Sequence, residues 1–345
     1  MTGPSDSSEA ADAPGGPVGY TWGDYVTQLV GEHGSLAALA LRLAELATTP
    51  DDSASVERAL RRLRTRGQLD GGDYGRRLLR AFGLPRPVAA RVKWMGVYHS
   101  RFSDLPRSLC LDQLRVWDRP PVSESPARVW IALGLAGAAL RARDLETAQV
   151  QLRRARAAGS NEPAAIIEAA LVESYLASKL GEIDRSRGHL SAVEELLERG
   201  ELEAEERSCL RARWIDQQAY RMNNPGDGAA PDWRGALALY ERLPAGEVHP
   251  FVGYRRDAGL AHGYDKLGER VKALAFAYRA LEHAGDGGYV RLRVMGLGLL
   301  ARILGDEDGV DARARALTIA RRLEDEELLG RVERIGRPRS AASTT

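Results

Sequence analysis

The stretch Tyr264–Ala284, YDKLGERVKALAFAYRALEHA, constrains this chain more than any other. It reads as the end of one helix, a turn centred on Gly268, and a second helix. That second helix carries Ala273, Ala277 and Ala280 on one face. Side chains three and four apart share a helix face, so the alanines make a smooth stripe against which another helix can lie close. A single hairpin cannot cover its own apolar face, so such units must stack on neighbours.

Similar pairs recur along the chain. Segments 127–143 and 146–158 form the first, with Ala148, Leu152 and Ala155 on the inner face of its second helix. Segments 162–180 and 183–198 form the second, with Ser186, Leu190 and Val193 in the same spacing. Segments 203–222 and 233–243 form the third, with Ala236, Tyr240 and Leu243 and a long turn, NNPGDGAAPD. Segments 251–267 and 269–284 are the fourth pair, and 290–304 with 311–324 a fifth.

The small–large–small spacing, with Gly268, Ala273, Ala280 and the aromatic Tyr264, resembles the tetratricopeptide repeat. The resemblance covers 127–336 and is fullest in the fourth pair. It implies an all-α solenoid of four or five hairpins, a surface for holding a protein or peptide rather than for chemistry. In the family's register, Arg255, His262, Asp265 and Lys266 would face the groove. Val129–Leu140, VWIALGLAGAAL, is apolar nearly all round and is expected to be buried on both sides, capped by the preceding domain.

Residues 20–105 read as a small helical domain, and 106–126, with Pro106, Pro120, Pro121 and Pro126, as its connection to the repeats. Residues 1–19 and 337–345 are polar tails too poor in apolar side chains to order themselves. Within the domain, Leu36–Leu46 and Ser55–Arg64 resemble a helix-turn-helix DNA-binding unit. That resemblance implies contacts to double-stranded DNA from Ser55, Arg58, Arg61, Arg62, Arg64 and Arg66. Arginine suits both guanine edges and phosphates. It also implies a possible homodimer, since half-sites are usually palindromic. The run YHSRFSDL, Tyr98–Leu105, is expected to pack one domain on the other.

Charge is unevenly placed although the net charge is +1. Segment 51–102 holds twelve Arg or Lys against five Asp or Glu, and 182–206 holds three Arg against nine acids. Such asymmetry suits a nucleic-acid face and a separate protein face. Only 4 of the 49 basic residues are Lys, so arginine also serves as the general solubilising cation.

No catalytic residue, cofactor or metal is expected. The six histidines do not pair with one another or with Cys110 or Cys209 at ligand spacing. Asp306, Asp308 and Asp311 do not complete a calcium loop, because Val310 takes a ligand position. Phosphate-binding and nucleophile-elbow motifs do not occur. The start lacks a charged segment followed by an apolar core, and the longest apolar run is too short to cross a bilayer, so a cytoplasmic location without membrane contact is expected. Two functions are compatible with this reading: a regulator that holds a protein or peptide and contacts DNA, or a protein–protein adaptor with no DNA contact.

Overall fold

The computed structural model describes residues 19–47, 51–66, 70–226, 228–246, 248–305 and 307–335. The expected tails before Gly19 and after Ile335, and Asp306 of the acidic turn, lie outside them. The fold is all-α. Among the described residues there are 17 α-helices, two short 3-10 turns and no strand.

Four helices gather around one apolar core: α1 (Trp22–His33), α2 (Leu36–Glu45), α3 (Ser53–Arg66) and α4 (Gly72–Phe82). Thr21 and Asp24 cap α1 reciprocally, and Ser35 caps α2. Trp22 is fully buried at the centre, pressed so closely on Gly71 and Gly75 that a Cβ at either would overlap its ring. Tyr20 stacks on Trp117, with ring centroids 6.2 Å apart, and ties this unit to the remainder of the chain.

Helix α5 (Arg86–Gly96) belongs to the second core, not the first. It and α6 (Arg107–Trp117) pack against α7 (Arg128–Arg141). A Cβ on Gly96 would meet the Trp130 carbonyl oxygen at 2.2 Å, so α5 and α7 touch backbone to backbone. Helix α7 is buried nearly all round by α5, α6, α8 and α9.

From α7 onward, consecutive helices pair, consistent with a helical solenoid. The pairs are α7 with α8 (Leu145–Ala157), α9 (Pro163–Lys179) with α10 (Ile183–Arg199), and α11 (Ala204–Asn223) with α12 (Trp233–Glu241). Then come α13 (Pro250–Lys266) with α14 (Arg270–Asp286), α15 (Val290–Leu304) with α16 (Val310–Arg322), and last the single α17 (Glu326–Glu333). Ala148, Ser186, Ala236, Ala273 and Ala316 are all buried, each on the second helix of its pair.

Five of the turns share one geometry. The N–H of the third residue past the helix bonds back five residues: Asp144 to Ala139, Glu182 to Ala177, Glu269 to Tyr264, Tyr289 to Ala284 and Asp325 to Ala320. The residue before each has positive φ. Glycine takes it at 181, 268 and 288, but Arg143 (φ 59°) and Glu324 (φ 52°) take it elsewhere, at a steric cost.

Both strained residues sit where the row closes on itself. Helix α17 packs on α7, far apart in sequence. The Arg107 N–H donates to the Leu323 carbonyl at 3.1 Å, and Ser108 donates from N–H and Oγ to the Glu324 carboxylate at 2.8 and 2.9 Å. Arg143 reaches Glu327 at 3.5 Å. Asp325, 1 % exposed, lies between Arg141 (3.3 Å) and Arg291 (2.9 Å).

Candidate functional site

Closure leaves a hollow in the middle of the row, a cavity of about 170 Å³. The segment after α5, Val97–Leu105, runs alongside it, and its Tyr98 and Phe102 line the wall. This is the YHSRFSDL run. It is held by the Asp104 carboxylate, which accepts from the Arg291 N–H at 2.7 Å, and by the Leu105 carbonyl, which accepts from Arg141 at 3.0 Å.

Arginines reach the cavity from five different helices: Arg141 on α7, Arg213 on α11, Arg255 on α13, Arg291 on α15 and Arg331 on α17. Three surround the Tyr98 ring, with guanidinium carbons 4.3 Å (Arg213), 5.6 Å (Arg255) and 5.7 Å (Arg291) from its centroid. Such contacts are stronger where water is excluded. Arg255 Nη2 also donates to the phenol oxygen at 3.0 Å.

Each guanidinium has a carboxylate. Arg213 is paired with Glu168, both almost fully buried. Arg255 meets Asp216 at 2.7 Å, whose other oxygen accepts from the Tyr240 hydroxyl at 2.9 Å. Arg331 meets Glu327, which also takes Lys179 at 2.7 Å. Burial and then Lys179 and Arg331 act on Glu327 in opposite directions, and the cations win, holding it near 2. Burial pushes Glu168 up despite Arg213. Burial also acts to raise the Tyr98 phenol, but Arg255, Arg291 and Arg213 outweigh it and hold it below the ordinary tyrosine value. His99 beside it is pushed down to about 3 by burial, then by Arg213, His249 and Lys93.

Of the four residues expected to line a groove, only Arg255 lines this cavity. His262, Asp265 and Lys266 lie at the far end of α13, joined through Arg302 and Trp233. Arg302 bonds His262 at 2.7 Å and pairs with Asp265 at 3.6 Å, while Lys266 lies over the Trp233 ring. Burial and Arg302 push His262 down to about 3.

The expected DNA-contact residues all fall on α3. Arg58, Arg61 and Arg62 are exposed, whereas Ser55 and Arg64 are half-buried. Ser55 Oγ donates to Asp52 and accepts from Arg58 at 2.8 Å, so it organises the start of the helix. Arg61 pairs with Glu57 at 2.7 Å. Arg66 is the last residue of α3, and the expected stop at Gly67 lies outside the described residues.

Both cysteines are buried. The Cys209 thiol, 3.4 Å from His249 Nδ1, is pushed up to about 12 by burial and then by Glu205 and Glu206, so it stays protonated at neutral pH. Among the described residues, no group of three or more His, Cys, Asp or Glu is placed to hold a metal ion, and no helix is long and apolar enough to cross a membrane.

Tyr98 and the arginines other than Arg255 escape a sequence reading because arginine is this chain's everyday cation. The usable signal is an arginine inside or ending an otherwise apolar helix, as in GAALR at 137–141 and FVGYR at 251–255. No protein-family model, curated protein or solved structure matches this chain.

Proposed function

We propose that this chain is a non-catalytic regulatory protein. In this reading the tetratricopeptide-like solenoid holds a ligand or partner, and the helix-turn-helix-like N-terminal unit contacts double-stranded DNA through α3. The observation that carries it is the placement of Tyr98. It lies among arginines drawn from successive hairpins, on a segment that starts where α5 ends. A molecule that enters the hollow bears directly on that segment and on α5, whose Arg91 lies over Trp117, the ring on which Tyr20 of the N-terminal unit stacks.

Two further observations support it. Arg58, Arg61 and Arg62 stand in solvent on one helix, as phosphate contacts require. A protein or peptide partner has an open face on α14, where Val271 and Tyr278, two turns apart, are 84 % and 50 % exposed. The flank bearing His262, Asp265 and Lys266 adjoins it through the α13–α14 hairpin. Twofold DNA half-sites would suit a homodimer.

The test is retention of genomic DNA fragments by the purified protein at low and moderate salt, beside an Arg61→Glu/Arg62→Glu variant. Selective retention that falls steeply with salt and vanishes in the variant supports a regulator. No retention by either protein at low salt overturns the DNA half of the reading and leaves an adaptor.

A further inference from the structure

We infer that the central cavity is a binding site for a small organic anion whose apolar body is about the size of one aromatic ring. The inference rests on the reading of the helical row as the ligand-holding part, and not on DNA contact.

Size comes first. The hollow is about 170 Å³. Cavities of about 150 Å³ accept benzene. An extended peptide does not fit there, and the segment carrying Tyr98 already occupies the adjoining space.

The space is built in. Gly137 on α7 lines the cavity, and a Cβ placed on it meets nothing within 4 Å. Glycine in a helix interior costs about 1 kcal/mol relative to alanine, and no close contact at this position requires it. Its neighbour on the wall, Ala138, is also small. Larger side chains here would fill the hollow.

Chemistry sets the class. The wall is mostly apolar, with Leu133, Val172 and Leu328 among its lining. Its charged groups are five arginines against three carboxylates, Glu168, Asp216 and Glu327. Behind the wall, Asp325 serves both Arg141 and Arg291, Asp104 faces Arg291, and Lys179 shares Glu327, so six cations stand against five carboxylates and one positive charge is in surplus. Arg255, 5 % exposed, has an Nε without a partner. Arg331 keeps 40 % of its side chain accessible. A buried cation that lacks a full set of acceptors favours an anion there. The low-lying phenol of Tyr98 reports the same positive surroundings.

The experiment is calorimetric titration and thermal melting of the full chain with benzoate, phenylphosphate, benzamide and benzylamine, on the wild type, Gly137→Leu and Arg331→Gln. Saturable binding and a raised melting temperature with benzoate or phenylphosphate, at least tenfold weaker for benzamide and benzylamine, is the expected result. The ratio of the two anions separates a carboxylate from a phosphate ligand. Gly137→Leu should melt no lower than the wild type and lose binding, because a Cβ there meets nothing within 4 Å and the longer side chain takes up the hollow that Gly137 lines. Arg331→Gln should weaken it at least tenfold, since Glu327 keeps Lys179. Anion binding that survives Gly137→Leu, neutral and cationic probes that bind as well, or no anion binding to the wild type would each overturn the inference. DNA retention by the same preparations is read separately, so failure here leaves the regulator reading testable on its own.

Discussion

Arg255 Nη2 donates to the phenol oxygen of Tyr98 at 3.0 Å, joining α13 to a segment 157 residues earlier in the chain. Tyr98→Phe removes the acceptor and leaves a buried donor with one partner fewer, which costs about 1–3 kcal/mol. Tyr98→Ala also removes the ring beneath Arg213 and should cost more than Tyr98→Phe. Urea denaturation of the three proteins checks the order; equal stability of wild type and Tyr98→Phe would show that the bond contributes nothing.

Asp325 is the keystone of closure, because Arg141 and Arg291 share its carboxylate and its Oδ1 accepts from the Leu328 N–H at the start of α17. Asp325→Ala strands two buried guanidiniums and should destabilise by about 3–5 kcal/mol. Hydrogen exchange is expected to rise first in α17, the helix that Asp325 caps. Uniform protection of α17 in the variant would refute this.

Glu324 is held in the left-handed region, at φ 52°, while its carboxylate binds Ser108. Glu324→Ala keeps the strain and loses both bonds, so it should destabilise by about 1–2 kcal/mol. Glu324→Gly loses the bonds but relieves the strain, and should be milder by about 1 kcal/mol. Melting temperatures of the pair measure the difference, and an alanine variant at least as stable as the glycine variant would contradict it.

His99 and His262 are both held near 3, against an ordinary 6.5, by burial and neighbouring cations. A group with a depressed folded pKa takes up its proton on unfolding between those two values. Stability is therefore full above about 6.5 and declines as pH falls towards 3. Glu168 and Asp104, held above their ordinary values, act in the opposite sense. The histidine contribution is therefore read between pH 7.5 and 5.5 as the part of the change that the paired histidine variant removes. Denaturation midpoints should fall across that range, and His99→Gln/His262→Gln should reduce the fall. A pH-independent midpoint would count against the buried neutral histidines.

Sequence alone determined the paired helices from α7 to α16, whereas α5 and α17 carry no comparable pattern. The spacing of Ala273, Ala277 and Ala280, and glycines at 181 and 268, are local signals, because helix periodicity and left-handed turns depend on residues within a turn or two. The burial of Val129–Leu140 was equally legible, since an apolar surface all round a helix has no solvated face. Only the tertiary structure decided that α17 returns to α7, that Tyr98 stands among arginines from separate hairpins, and that Arg255 parts company with His262, Asp265 and Lys266. Curvature of a helical row accumulates from small rotations at each pair, and closure depends on their sum. No local pattern records that sum, and an arginine destined for the cavity looks in sequence like one destined for solvent.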